Sequence, residues 1–349
     1  MKKTGVMNFG WLIIIMVITG SVQGHLTAWN KGMYCLNGTD PGQVHYDTND
    51  AVQPLYQLTQ KDWWFHHINK CDEFPPAPGD FLELPANGNF TVEHAVNRAF
   101  TTLSYGGKNT AIYGDGKNHG PDFGFSSDGK PGNDSCITEP NIHTQNETMA
   151  AGTVFAISYV SDLAKVTQEN LVVFTVLEHT PWKRIATYQV PNLPACPDGG
   201  CICAWGWVPN GCGIPNMYML PYRCKVTGIT GNATVAPGVP PVWCETDAKQ
   251  CVVGAKQMVY WHQLDGNNVE VDGFDLAGEN KSPGYNSKMG FPNGAQRDIF
   301  LKEGSAPTQH VPSSGADQPT TPTKSSSISP SPSRSTVLSV MILILTLWI

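Results

Sequence analysis

The run "AGTVFAISYVSD", residues 151–162, followed closely by "NLVVFTVL", residues 170–177, sets the fold class. Both are short, rich in β-branched and aromatic residues, and closed by turn chemistry, the signature of strands rather than helices. Working outward, the same reading applies to "DFLELPANGNFTVEHAV" (80–96), "KRIATYQVP" (183–191), "RCKVTGITGNATV" (223–235) and "QMVYWHQLDGNNVEVDGFD" (257–275). Thirty-five glycines and 27 prolines punctuate these runs. Long helical periodicity is scarce. The expectation is an all-β chain, a β-sandwich with long, disulfide-pinned loops and no internal repeat.

Composition narrows the function classes. The 349 residues are 40% hydrophobic and 15% charged, enough for one large core or two modest ones. The formal net charge is -7, and no dense Lys/Arg cluster interrupts it. Nucleic acid is excluded as a partner, because nothing would neutralise a phosphate backbone.

Both ends read as addresses. "MKKTGVMNFGWLIIIMVITGSVQG", residues 1–24, opens with Lys2 and Lys3, continues through an apolar run from Trp11 to Ile18, and carries small residues at Val22 and Gly24. That is a secretory signal peptide cut after Gly24. Residues 304–336 are rich in Ser, Thr and Pro and form an extended, O-glycosylated stalk. Residues 337–349 are apolar to the last position and, behind Ser325, Ser326 and Ser327, match a glycosylphosphatidylinositol signal, with an uncleaved tail anchor as the alternative. The membrane would then be met only through a C-terminal lipid anchor, placing a monomeric domain of residues 25–303 on the outer cell surface.

The cysteines agree with export. Cys35, Cys71, Cys136, Cys196, Cys201, Cys203, Cys212, Cys224, Cys244 and Cys251 are even in number, which points to disulfides of undetermined pairing. Neither "CICAW" nor "CPDGGC" has zinc-ligand spacing. Sequons at Asn37, Asn89, Asn133, Asn146, Asn232 and Asn280 permit N-glycosylation.

Cleavage after Gly24 would make His25 the first residue, with its α-amino nitrogen and imidazole forming a bidentate chelate. One further imidazole would complete a T-shaped nitrogen set, a geometry that suits copper rather than tetrahedral zinc. His45, His66, His67, His94, His119, His143, His179, His262 and His310 are the available partners. His66 and His67 are neighbours and, on a strand, would point to opposite faces. Asp72 and Glu73 are adjacent and so do not flank a bond as glycosidase carboxylates must. No G-x-S-x-G elbow or phosphate-cradling glycine motif is present. Trp63, Trp64 and Phe65 in "DWWFHH" are read first as buried aromatics and second as a sugar-stacking surface.

Five segments, "HLTAWNKGMYCLNG" (25–38), "PLYQLTQKDWWFHHINKCDEFPPAPGDFLELPA" (54–86), "NIHTQNETMAAGTVFAISYVSDL" (141–163), "TPWKRIATYQVP" (180–191) and "CICAWGWVPNGCGIPNMYMLPYRCKVTG" (201–228), together resemble the fungal lytic polysaccharide monooxygenases of auxiliary activity family fourteen. The likeness runs from His25 to about Phe300. It implies an immunoglobulin-like or fibronectin-like β-sandwich carrying a flat, solvent-facing copper site with an amino-terminal histidine brace, a second histidine and an axial tyrosine.

Carried over residue by residue, the resemblance places His25 first and selects His143 as the second histidine, with His119 in "GDGKNHGPDFG" (114–124) as the alternative. The axial place falls to Tyr218, with Tyr222 as its alternative and Asn216 as a neighbouring hydrogen-bonding group. Trp205 and Trp207 frame that region or the core beneath it. The implied reaction is oxidative cleavage of glycosidic bonds on an insoluble polysaccharide surface, xylan associated with cellulose. Copper is the cofactor, an external electron donor reduces it, and H2O2 or O2 is the co-substrate. A second reading stays open, a copper-binding surface protein that captures copper without cleaving polysaccharide.

Overall fold

Strand β4 (Thr153–Ser158) sends Phe155 and Ile157 into one apolar cluster and Val154 and Ala156 into another, and every residue of the strand is buried. Strand β5 (Val172–Leu177) also faces both ways, with Val172 and Phe174 in the first cluster and Val173 and Val176 in the second, a bulge opposite Phe155 and Ala156 shifting its alternation by one residue. Side chains alternate across a strand, so a nearly continuous apolar run is what a sheet covered on both faces requires. A computed structural model shows this arrangement, describing residues 25–124, 142–211, 215–275 and 280–301. They belong to a compact unit running from Met1 to Ser305; the signal, stalk and tail segments lie outside the described residues.

The remaining strands are β1 (Thr27–Trp29), β2 (Leu82–Pro85), β3 (Asn89–Ala95), β6 (Ile185–Gln189), β7 (Cys201–Trp207), β8 (Tyr218–Thr227) and β9 (Gly294–Ala295). They form a three-stranded sheet in the order β1-β3-β6 and a six-stranded sheet in the order β2-β8-β7-β4-β5-β9. Pairing is antiparallel except between β2 and β8. Trp29, Phe90, Phe155, Phe174, Tyr188 and Trp205 fill the space between the sheets. The expected all-β sandwich is therefore present. Its outer layer is the smaller sheet, where β6 alternates exposed and buried residues.

Two expected strands need correction, and one strand was not expected. Residues 257–275 form no strand, although they are apolar enough for one. Their backbone is satisfied instead by side-chain amides. Tyr260 N donates to Asn268 Oδ1 at 2.9 Å, Asn268 Nδ2 to the Met258 carbonyl at 2.8 Å, and Gln263 N to Asn267 Oδ1 at 2.9 Å. Local side-chain bonding of this kind displaces a ladder. The segment lies over the second face of the large sheet, with Met258 and Tyr260 packed beside Trp63, Phe65 and Phe291. Likewise, 228–235 does not extend β8, which instead begins earlier, at Tyr218. Strand β7, in "CICAWGW", was not among the expected strands, yet it sits near the centre of the sheet.

Pro221 lies inside β8 without breaking it. Its carbonyl accepts from Tyr34 N at 3.0 Å on the side away from β7, and its own nitrogen faces that same side. No β7 ladder bond needs the missing N–H.

Helical content is confined to short turns, and no helix among the described residues is long and apolar enough to cross a membrane. "DWWFHH" spans two of these turns, Gln60–Trp63 and Trp64–Asn69, and is not a strand. Phe65 and His66 take left-handed backbone angles, with φ 49° and 62°. His66 is fully buried, whereas His67 faces Asp72. Among the described residues, four disulfides, Cys35–Cys71, Cys196–Cys201, Cys203–Cys224 and Cys244–Cys251, pin the loops and join β7 to β8. Both Cys136 and Cys212 lie outside the described residues, as does Asn133. Asn37, Asn89, Asn232 and Asn280 are exposed. Asn146 is buried, and its side-chain oxygen accepts from Met149 N at 3.1 Å.

Two buried histidines make stability depend on pH. Burial lowers His94 to about 3, and burial lowers His66 to about 4 against a smaller opposing pull from the Asp50 backbone. The unfolded chain takes up these protons below about 6.5, while the folded chain resists until pH 3–4. Stability is therefore full above the unfolded value and falls as pH drops through this window, by at most about 1.4 kcal/mol per pH unit for each histidine. His94→Phe should flatten the slope of urea-unfolding free energy between pH 6.5 and 4. Tyr188 keeps its hydroxyl bond to Thr153, at 2.6 Å, in that variant.

Candidate metal centre

Strands β7 and β8 set the floor of the site. Trp207 lies directly opposite Tyr218 in their register, and the rings stack with centroids 4.5 Å apart and planes 21° from parallel. Cross-strand aromatic pairs of this kind reinforce an antiparallel ladder. The hydroxyl of Tyr218 is 2.8 Å from His25 Nδ1 and 3.4 Å from His143 Nε2. The two imidazoles stand nearly parallel, 13° apart with centroids separated by 5.7 Å. His143 also leans on Trp207 at 5.5 Å.

Two loops deliver the histidines. His25 stands two residues before the start of β1, whose Thr27 pairs with Ala95 of β3. On the β8 side, the Tyr222 hydroxyl donates to the Ala28 carbonyl, joining β1 to β8 across the sandwich. Tyr218 and Tyr222 lie on one face of β8, so the same strand fixes the β1 backbone and meets its leading histidine. His143 stands in the segment leading to β4, with φ 44°. Histidine is among the residues enriched in this left-handed region, and such backbone is concentrated where side-chain placement matters.

The electrostatics favour a neutral His25 ring. Burial, and secondarily the charge of His143, lower His25 to about 4. Burial raises Tyr218 well above its ordinary value, so the phenol keeps its proton. A neutral imidazole offers a lone pair to a metal, and His25 Nδ1 is the ring nitrogen that forms a six-membered chelate with its own main-chain nitrogen. The donor set of two imidazoles, a main-chain nitrogen and a phenol is the nitrogen-rich kind that suits copper.

Other candidates fall elsewhere. His119 Nε2 is 2.9 Å from Asp115, and its ring stacks on Phe123 with centroids 4.1 Å apart. Asn216, 4% exposed, precedes Tyr218 by two residues, the spacing that shares a face in extended chain. Asp72 is bonded to His67 at 2.9 Å, and Trp63 is buried with its Nε1 donating to the Asp265 carbonyl at 3.0 Å. The sequence carried no signal for the tie between Tyr222 and Ala28, which needs two sheets in register.

Comparison with known proteins follows the same lines. The family described as Lytic polysaccharide monooxygenase AA14 matches residues 7–342. The chain belongs to the AA14 lytic polysaccharide monooxygenases. It is 36% identical over 306 residues to AA14 family lytic polysaccharide monooxygenase B of Pycnoporus cinnabarinus, covering 83% of this chain and 74% of that protein. Against AA14 family lytic polysaccharide monooxygenase A of Trametes coccinea, identity is 33% over 327 residues, covering 87% and 70%. The B protein of Talaromyces rugulosus is 34% identical over 293 residues, covering 79% of this chain and 93% of that one. The protein is accordingly a copper-dependent monooxygenase acting on polysaccharide.

Removing the Tyr222 hydroxyl tests the tie beneath the site. Tyr222→Phe should cost about 1–3 kcal/mol in urea unfolding, the range for stripping a buried acceptor of its donor. Tyr218→Phe should cost less, since among the described residues that hydroxyl meets ring nitrogens and no backbone carbonyl.

Proposed function

We propose that His25, His143 and Tyr218 hold one copper ion, with Asn216 beside it, and that the enzyme oxidatively cleaves xylan associated with cellulose. The observation that carries this reading is the convergence of His25 Nδ1 and His143 Nε2 on one phenol hydroxyl, at 2.8 and 3.4 Å. Removal of residues 1–24 would turn the main-chain nitrogen of His25 into a primary amine, completing the brace. The extracellular surface is the place of action, and residues 304–349 supply the stalk and lipid anchor that retain the enzyme there.

Copper, when bound, supplies the one-electron chemistry that an external donor and H2O2 or O2 drive. The chain's own residues do the rest. His25, kept neutral by burial, and His143 present ring nitrogens from two separate loops. Tyr218 stays protonated and is held against Trp207, which fixes the phenol without a flexible neighbour. Asn216 offers an amide for hydrogen bonding beside the metal. A flat surface around these groups would let the insoluble substrate approach, which a deep pocket would prevent.

His143→Ala in protein processed at His25 should weaken copper binding, read by isothermal titration, by more than roughly 100-fold, since even outer-shell losses cost about 10–100-fold. Unchanged affinity would overturn the ligand assignment and return His119 to consideration. Adding one residue before His25 should do comparable damage, because the primary amine would move off the histidine. Tagged and native termini binding copper alike would refute the brace. Mass spectrometry of products from xylan-coated cellulose decides the substrate: oxidised xylo-oligosaccharides are expected. Tight copper binding with no oxidised product from any polysaccharide would favour copper capture.

A further inference from the structure

The aromatic pair Trp63 and Trp64 divides its labour. Trp63 is buried and stacks on Tyr260, 27° from parallel with centroids 5.2 Å apart. Trp64 is only partly buried and lines an open cleft of about 710 Å³ with Lys61, His67, Asp72, Gln168 and Glu169. Its indole is backed by Trp63, Phe65 and Tyr260, with centroids 5.6, 5.0 and 5.7 Å away. A ring braced in this way is a rigid platform. His67 and Asp72 are joined at 2.9 Å, and Gln168 is held by a 2.9 Å bond from its Nε2 to the Gly266 carbonyl.

The cleft is remote from the histidines. Gln168 and Glu169 lie in the connection that leaves β4 at Ser158, opposite Ile202 of β7. Tyr218 sits at the other end, opposite Trp207, whose partner on β4 is Thr153. Five residues of strand separate the two ends, about 16 Å at the usual rise.

From this chemistry we infer that the Trp64 cleft is a second carbohydrate-binding site, taking a segment of a neutral β-linked polysaccharide. The inference rests on polysaccharide being the substrate class, and not on the copper ligands. An aromatic face rimmed by donors and acceptors matches a pyranose ring, which has one apolar face and an equatorial belt of hydroxyls. One lysine against two carboxylates does not suit a nucleic acid or another polyanion. A second attachment point would hold the enzyme on its substrate through effective concentration, leaving the copper-site contacts free to break and re-form.

Isothermal titration of processed protein with xylohexaose and with cellohexaose tests this. Wild type and His143→Ala should bind alike. Trp64→Ala should weaken binding by roughly tenfold, equivalent to about 1.4 kcal/mol for one lost stacking contact. Its melting temperature must stay within the wild-type range for that result to count. Lys61→Ala combined with Glu169→Ala, both exposed and outside the core, should weaken binding by severalfold and decides the matter if Trp64→Ala fails to fold. Affinities within twofold of wild type in the folded variants would overturn the proposal. So would loss of binding in His143→Ala, which would place the oligosaccharide at the copper site. Failure of the copper assignment would show only in the copper titration and leave these affinities unmoved.

Discussion

Everything in the domain hangs on the pairing of β7 with β8. Their register, running from Cys201 opposite Cys224 to Trp207 opposite Tyr218, places large aromatics on one face and small or flexible apolar residues on the other. One face meets the small sheet; the other receives the long irregular segments. A slip of one residue would turn Tyr218, Leu220 and Tyr222 out of the inter-sheet core and bring Met219 in. The Cys203–Cys224 disulfide joins the same two strands covalently. Where that register ends, at Trp207 and Tyr218, the site begins.

The site is therefore a by-product of core packing, with reactive groups at its margin. Tyr222 joins β1 to β8 inside the core, and Tyr218, four residues earlier on the same strand, meets the histidine that leads into β1. Precision comes from burial: the phenol is 2% exposed and both histidines are 8% exposed, so few rotamers are open to them. The low proton affinity of His25 has the same origin. Surroundings that immobilise the His25 ring also keep it uncharged and ready to ligate.

The second face of the large sheet shows a different solution to the same constraint. A sheet covered by loops must satisfy the loop backbone without a ladder, and here Asn268, Gln263 and the Tyr285 hydroxyl do so. Trp63 is buried under that cover, and Trp64, next to it, reaches the cleft. One adjacent pair thus serves stability and, in the proposed second site, recognition.

Sequence alone determined the class of the fold and narrowed the converging residues to a few named candidates. The runs at 151–162 and 170–177 are apolar at consecutive positions because both faces of their sheet are covered, and such runs are legible without coordinates. His25, His143 and Tyr218 were the first choices because they stand in segments whose order resembles a family, with His119 and Tyr222 as alternatives. Tertiary structure alone decided three matters. "QMVYWHQLDGNNVEVDGFD" reads as a strand, but its amides bond to partners up to 208 residues away, a competition invisible in local propensity. "CICAWGW" forms a central strand because its neighbours on both sides supply ladders, something seven residues cannot announce. His119 and Tyr222 parted from His143 and Tyr218 only through through-space partners, Asp115 and Phe123 for the first and the Ala28 carbonyl for the second. Residue type states what a side chain can do, and packing selects which of several equal candidates is placed to do it.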